Sequence, residues 1–250
     1  MRIRPLVISG LAVTLSIASL ASPKVLAQTA VPAPNAAPES KAPTAPKVPT
    51  AQGAWEFGPF ANGGFGDGNR SSFKFFDVGV HAGKVLTKPW GPGLMNGQFE
   101  YAAELVPFWQ SYTPAAHLEN VSYVQNGVTH FTQVPVSGGT YTGVSITPII
   151  LRWNFKGTKK VVPFVQGAGG LIWTNHKYPP DYMVPKGVPG RTSVFNFTPQ
   201  FGIGFHYFVR PKGSITFGAN AVHISSASLG DRNPGVNASV QFQVGYTWWR

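Results

Sequence analysis

A strict alternation of apolar and polar residues from Val194 to Val209 constrains the fold of this chain more than any other feature. One face carries large apolar residues, namely Phe195, Phe197, Pro199, Phe201, Ile203, Phe205, Tyr207 and Val209. The other face carries polar or small residues, namely Asn196, Thr198, Gln200, Gly202, Gly204 and His206. A period of two over this length is typical of a strand that crosses a hydrocarbon layer at a tilt and turns its polar face inward.

The last strand repeats the pattern and ends in aromatic residues. Val240, Phe242, Val244, Tyr246 and Trp248 alternate with Ser239, Gln241, Gln243 and Thr247, and the chain finishes with Trp248-Trp249-Arg250. Such a strand resembles the assembly signal of outer-membrane barrels, although that signal most often ends on an aromatic residue. We therefore expect an antiparallel barrel of membrane-spanning strands.

Similar patterns predict eight strands, near residues 54–65, 72–87, 94–109, 140–155, 161–175, 192–209, 214–226 and 237–249. The intervening segments 88–93, 156–160 and 210–213 read as tight turns, whereas 110–139 and 176–191 are long. Tight turns at one rim and long loops at the other are typical of an all-β, eight-stranded antiparallel transmembrane outer-membrane β-barrel. Near the strand ends, Trp90, Trp109, Trp173 and Trp248 would form the interfacial aromatic girdles.

The inside of such a barrel is filled by side chains, so we expect no diffusion pore. By alternation, Gln98, Glu100 and Glu104 share the polar face of the third strand, and Arg152 and Asn154 share that of the fourth. These residues predict a polar network in the interior whose role is structural.

The first 52 residues differ in kind from the rest of the chain. Residues 1–27 are predicted to be a signal peptide, with Arg2 and Arg4 before an apolar run from Leu6 to Ala21; a retained anchor is the alternative. Residues 28–52 are rich in proline and alanine and predict a disordered spacer. The barrel domain would then cover residues 53–250.

Charge and cysteine content narrow the partners of an exported chain. The formal net charge is +11, and removal of the signal lowers it by three through Arg2, Arg4 and Lys24. Nucleic acid is excluded as a partner by export, so the charge either meets anionic lipid phosphates or is a generic basic surface. The absence of cysteine removes disulfides and a lipid-attachment site.

A histidine and a serine interrupt the apolar face of the seventh strand. Ile215, Phe217, Ala219 and Ala221 lie on this face, and His223 and Ser225 are the next two positions along it. Polar side chains that face lipid are costly unless they lie near the interface or have a function. Imidazole and hydroxyl groups two positions apart on a strand can form a base-activated nucleophile. The other histidines, His81, His117, His130, His176 and His206, show no metal-ligand spacing.

The surrounding residues resemble a known family. The segments His223-Ile224-Ser225-Ser226-Ala227 and Asn233-Pro234-Gly235-Val236-Asn237 are similar to the motif of the PagL-like lipid A deacylases, also called acyloxyacyl hydrolases. The resemblance implies an eight-stranded outer-membrane barrel that hydrolyses an ester-linked acyl chain of lipid A. It also implies that Ser225 is the nucleophile, His223 the general base and Asn233 a ligand of the oxyanion.

Two positions differ from the family motif. Ser226 stands where the family has asparagine, and Asn237 stands where it has the carboxylate of the triad. An amide can set the tautomer of an imidazole but cannot stabilise the imidazolium by charge. Alternation puts Asn237 on the polar face, so it would need a bulge or loop-end conformation to reach His223. Asp231, in the same loop, is the alternative acid.

The resulting hypothesis is an outer-membrane esterase that deacylates lipid A without a cofactor or metal. Its partner would be the lipopolysaccharide of the outer leaflet. A catalytically inert structural barrel and a lipid- or solute-binding barrel are the rivals. The sequence leaves open which acyl chain is removed, whether phospholipid is accepted, and whether the protein is a monomer or a homodimer.

Overall fold

The computed structural model describes residues 51–136, 138–158, 160–179, 193–227 and 237–250. The predicted signal peptide and nearly all of the predicted spacer lie outside these residues. Ten strands are present: β1 (Trp55–Gly66), β2 (Lys74–Val85), β3 (Gly97–Tyr112), β4 (His117–Gln125), β5 (Val128–Val136), β6 (Thr140–Phe155), β7 (Val161–Thr174), β8 (Phe195–Arg210), β9 (Gly213–His223) and β10 (Ala238–Trp249). Two single-turn 3-10 helices cover Gly68–Arg70 and Gly93–Met95. Among the described residues, no helix is long and apolar enough to cross a bilayer.

Eight strands form a closed antiparallel barrel in the order β1-β10-β9-β8-β7-β6-β3-β2. The first and last strands close it through a continuous register that runs from Glu56 opposite Trp249 to Gly66 opposite Ser239. Closure removes the open edges that a membrane-spanning sheet could not leave unpaired. The predicted fold class is confirmed.

The alternation seen in the sequence becomes the two surfaces of the barrel wall. On β8, Phe201 and Ile203 are 60% and 59% exposed on the outer surface, while Asn196 and His206 are fully buried inside. β10 follows the same rule, with Phe242 outside and Gln241 inside. The apolar surface therefore faces the hydrocarbon, and the polar surface faces the barrel interior.

A buried ion cluster crosses the interior and confirms the predicted network. The Arg152 guanidinium contacts the carboxylates of Glu56 and Glu100 at 2.5 and 2.9 Å, and Asn154 donates to Glu100. Glu56, on β1, is the partner that the sequence did not identify. Because a buried charge is costly without a partner, this cluster ties β1, β3 and β6 together.

Glu104 also faces inward, but its hydrogen-bond partner lies on another strand. It accepts a hydrogen bond of 3.2 Å from the amide of Gln243 on β10. The interior polar groups therefore link strands that lie across the barrel from each other.

The predicted long loop at 110–139 is in part a second, two-stranded sheet. β4 and β5 pair from His117 opposite Val136 to Gln125 opposite Val128, separately from the barrel. Asn126 and Gly127 join them with φ angles of 52° and 77°. Two left-handed residues in a two-residue loop match the twist of a hairpin. The long connection predicted here thus contains a hairpin that the sequence analysis did not identify.

Trp109 also departs from its predicted position in the outer girdle. The register of β3 shifts between Val106 and Trp109, so that Pro107 and Phe108 both face outward and Trp109 turns inward. Trp109 is only 4% exposed, whereas Trp90, Trp173 and Trp248 are exposed as expected. A β-bulge reverses the phase of alternation beyond it, which explains the error.

The barrel has two unlike rims. The short-turn rim holds the connections 86–96, 156–160 and 211–212 together with the start of β1 and the end of β10. The long-loop rim holds 67–73 and the described parts of the connections 113–139, 175–194 and 224–237, and so includes the β4–β5 hairpin. His223, Ser225 and Asn237, three of the candidate site residues, lie at the long-loop rim.

Candidate active site

β9 ends at the candidate base, His223, and the candidate nucleophile, Ser225, follows two residues later. The strand runs from the short-turn rim to His223, and its outward residues are apolar up to that point. The chain continues beside β8 for two more residues, because Ser225 exchanges both backbone hydrogen bonds with Phe197, at 2.7 and 3.0 Å. This bridge keeps Ser225 in line with the wall of the barrel.

His223 and Ser225 lie on the outer surface, as alternation predicts. Both side chains are half-buried, and His223 stands opposite Ala238 on β10. No hydrogen bond of the His223 imidazole is found among the described residues, including any to Ser225. The structure thus brings the pair to one face without joining them.

The backbone turns sharply directly after Ser225. The hydroxyl of Ser225 accepts a hydrogen bond of 3.2 Å from the N–H of Ala227, whose φ is 49°. A left-handed conformation is uncommon for a residue with a Cβ. The turn ends the bridged segment and leaves Ser225 at the limit of the barrel wall.

Ile224 anchors this segment from the inside. It is 2% exposed and belongs to an apolar cluster with Trp109, Tyr141 and Tyr178 at the long-loop rim. Tyr178, fully buried, packs its ring against those of Trp109 and Tyr141 at 5.4 and 5.2 Å between centroids. Because Ile224 is fixed in this apolar cluster, its neighbours His223 and Ser225 are held on the outer surface. The role of Ile224 was not predicted, although its inward phase was readable from the sequence.

Asn237 lies on the opposite side of the wall from His223. It is 3% exposed, and its amide donates to the carbonyl oxygen of Ile224 at 3.1 Å. The backbone N–H of Ile224 donates in turn to the carbonyl oxygen of Asn237 at 2.9 Å. The side chain therefore ties the start of β10 to the residue between the candidate base and nucleophile, and it does not contact the imidazole.

The remaining candidates from the sequence are Ser226, Asn233 and Asp231. Ser226 is fully buried, and its hydroxyl has no hydrogen-bond partner within the described part of the chain. Asn233 and Asp231 lie outside the described residues. Within the described ranges, no group of three or more His, Asp or Glu residues could hold a metal ion.

The outer surface beside Ser225 is aromatic. Phe197 is its cross-strand neighbour. The Phe195 ring lies between those of Phe197 and Trp173, edge-on to the first and tilted against the second, with centroid distances of 5.4 and 4.9 Å. These rings belong to β7 and β8 and face the hydrocarbon. The candidate pair thus sits where a polar rim meets an apolar platform.

The barrel and its outward-facing pair define a protein of the bacterial outer membrane that carries a polar site at its long-loop rim. The family model for lipid A 3-O-deacylase (PagL) matches residues 96–247. The chain belongs to this family of lipid A deacylases, which are ester hydrolases.

Several solved structures are similar to this chain. The outer membrane enzyme PagL is 15% identical, covers 76% of this chain and 98% of its own, and gives a TM-score of 0.45. Neisserial surface protein A is 12% identical, with coverages of 79% and 99% and a TM-score of 0.47. OprG from Pseudomonas aeruginosa is 10% identical, with coverages of 80% and 96% and a TM-score of 0.39. A comparison with curated proteins gives no match.

Proposed function

We propose that this chain is an outer-membrane esterase that removes a fatty acyl chain from lipid A, with Ser225 as nucleophile and His223 as general base. The observation that carries the proposal is the position of these two side chains, half-buried on the hydrocarbon-facing surface at the long-loop rim. The family description supports the ester at position 3 of lipid A as the bond that is cleaved.

These two side chains and water carry out the bond-making and proton-transfer steps. Ser225 Oγ attacks the ester carbonyl carbon while the His223 imidazole accepts the hydroxyl proton. The tetrahedral intermediate collapses to an acyl ester on Ser225, and the imidazolium returns its proton to the leaving sugar oxygen. Water then attacks the acyl ester with the same imidazole as base, which releases the fatty acid and restores the serine.

The geometry of the pair is compatible with these roles. Same-face residues two apart on a strand are separated by about 7 Å, a span that imidazole and hydroxyl groups can close by changing rotamer. Catalytic hydrogen bonds are often long before substrate binds. The bridge to Phe197 and the anchoring of Ile224 hold the backbone of both residues in place during that change.

The aromatic surface beside Ser225 supports an acyl substrate. Phe195, Phe197 and Trp173 form a continuous apolar platform on the outer wall. An acyl chain of the outer leaflet would lie along these rings with its ester at the level of Ser225. Because the acyl chain already lies in hydrocarbon, its contact with these rings would be stabilised by van der Waals packing and not by removal of apolar surface from water.

The remaining roles follow the resemblance to the family. Asn233 is proposed to donate to the oxyanion, and either Asn237 or Asp231 to orient the imidazole. The hydrogen bond of Asn237 to Ile224 supports a different role for this residue, namely to position the segment that carries the pair.

A catalytically inert barrel is the second candidate function. It is favoured by one observation: the position that carries the triad carboxylate in the family is an amide here, and that amide faces the interior. Such a barrel would keep the fold and the aromatic surface but not the chemistry.

A fluorophosphonate probe distinguishes the two candidates, since it labels only an activated serine. We expect labelling of the purified barrel to be lost in Ser225→Ala and in His223→Ala. Ser226→Ala is the matched control, because its hydroxyl is adjacent in sequence but buried inside the wall. No labelling of the wild-type barrel, or equal labelling of Ser225→Ala, would remove the esterase proposal.

A further inference from the structure

Among the described residues, most exposed cations of the barrel lie at the short-turn rim, at the other end of the barrel from the candidate active site. Seven described cationic side chains lie at or next to this rim, namely Lys84, Lys88, Lys156, Lys160, Arg210, Lys212 and Arg250. All are exposed except Lys84, which is half-buried.

No exposed aspartate or glutamate side chain balances them among the described residues of this rim. Glu56 and Glu100 are the nearest acidic residues along these strands, and both are fully buried inside the barrel, where they contact Arg152. By contrast, three described cations lie at the long-loop rim, namely Arg70, Lys74 and Lys177. Arg70 is buried, and the acidic residue Asp67 is exposed at the same rim. Among the described residues, the short-turn rim therefore carries more positive charge than the long-loop rim.

The cations stand at the height of exposed aromatic rings. Lys84 Nζ lies 4.9 Å from the centre of the Trp55 ring, and the Arg250 guanidinium lies 5.6 Å from that of Phe57. Trp55 and Trp248 are exposed on the outer wall at this rim. Aromatic girdles mark the level of lipid headgroups, so these charges lie at headgroup depth rather than far out in water.

The turn between β2 and β3 adds apolar side chains to the same rim. Leu94 is 95% exposed, and Met95 and Trp90 are also exposed. Exposed apolar residues beside cations are typical of surfaces that rest in a membrane interface. A surface meant for contact with a water-soluble polyanion would not need them.

From this arrangement we infer that the short-turn rim binds the headgroups of anionic phospholipids in the leaflet next to it. Each cation at this rim attracts the anionic headgroups of the adjacent leaflet. The candidate active site takes no part in this attraction. Because short turns face the periplasm in barrels of this class, the leaflet concerned is the one opposite to that holding lipid A. The inference does not depend on the proposed esterase activity.

Native mass spectrometry of the detergent-purified barrel with added lipid tests this inference. The probes are phosphatidylglycerol, phosphatidylcholine and lipid A, each added alone. We expect wild type to retain phosphatidylglycerol in preference to phosphatidylcholine, and Lys156→Gln/Lys212→Gln to lower its retention by roughly fivefold for each removed cation. The matched control is Lys74→Gln/Lys177→Gln, which removes the same charge from the other rim and should leave retention near the wild-type value.

Three results would overturn the inference. Equal loss in the two double variants would show an effect of net charge rather than of the rim. Equal retention of phosphatidylglycerol and phosphatidylcholine by wild type would show that the headgroup charge is not recognised. Stronger retention of lipid A than of phosphatidylglycerol through Lys156 and Lys212 would assign this rim to the other leaflet. Heat-modifiable migration of each variant on a gel checks that the barrel is folded.

Discussion

Asn237 is the residue whose environment differs most from the role that the family motif gives its position. Its amide lies inside the barrel and donates to Ile224, while His223 stands on the outer surface. A glutamate at this position could not donate to the carbonyl oxygen of Ile224. The amide therefore suits the interior hydrogen bond better than the family's carboxylate would.

Two substitutions at this residue separate a positioning role from a triad role. Asn237→Ala removes one buried hydrogen bond and should lower the free energy of unfolding by about 1–2 kcal/mol. Asn237→Glu should lower it further, because two acceptor oxygens then face each other in the interior. Chemical unfolding of the refolded barrel measures both values. Unchanged stability with raised esterase activity in Asn237→Glu would instead mean that the carboxylate reaches His223.

The pair itself should behave as one unit. His223→Ala and Ser225→Ala should each abolish esterase activity, and the double variant should be little worse, because the members of a catalytic unit are not additive. Both residues lie near a rim, so we expect the stability of the barrel to change by less than about 0.5 kcal/mol. Initial rates with an ester substrate in mixed micelles give the comparison. Additive losses would indicate that the two residues act separately.

At the scale of single elements, the β4–β5 hairpin stands apart from the strands that form the barrel. Its backbone pairing is internal, from His117 opposite Val136 to the Asn126-Gly127 turn. Isolated two-stranded hairpins are marginally stable in water. The hairpin therefore depends on the barrel for its position, whereas the barrel closes without it.

Replacing residues 118–135 by a short Gly/Ser linker should leave the barrel folded. The residues at the base of the hairpin, His117 and Val136, are paired neighbours, so a short linker spans the gap. Heat-modifiable gel migration and far-ultraviolet circular dichroism report the barrel. Loss of the heat-modifiable form would show that the hairpin contributes to barrel stability.

The elements also show where sequence reasoning succeeds. The strands were predictable because a wall between lipid and a polar interior imposes a period of two, as in β8 and β10. Trp109 was misplaced because a bulge reverses that period without a reliable local signal. The hairpin did have a reliable local signal, the Asn126-Gly127 pair, which is the strongest short-range indication of a two-residue turn.

At the scale of the whole molecule, contacts between strands that are distant in sequence could not be predicted from local patterns. Arg152 was predicted to face inward, but its contact with Glu56 depends on how β1 and β10 close the barrel. The outward phase of His223 and Ser225 was readable locally, and so was the inward phase of Asn237. The anchoring of Ile224 by Tyr178, far along the chain, was not.

The ion cluster should contribute strongly to the stability of the barrel as a whole. Arg152→Met leaves Glu56 and Glu100 buried without their cation and should lower the free energy of unfolding by about 3–5 kcal/mol. Adding Glu56→Gln and Glu100→Gln to this variant should recover part of the loss, since the stranded charges are then gone. Unfolding curves in lipid vesicles test the expectation. A triple variant no more stable than Arg152→Met would contradict the electrostatic explanation.

The central claim concerns a membrane barrel that uses an outward-facing serine on lipid A, and one measurement tests it directly. Purified wild-type and Ser225→Ala barrels are each incubated with lipid A in detergent, and mass spectrometry follows the released fatty acid and the shortened lipid A. We predict that wild type releases one ester-linked acyl chain and that Ser225→Ala, equally folded by heat-modifiable migration, releases none. Release by Ser225→Ala at the wild-type rate, or no release by either protein, would contradict the account.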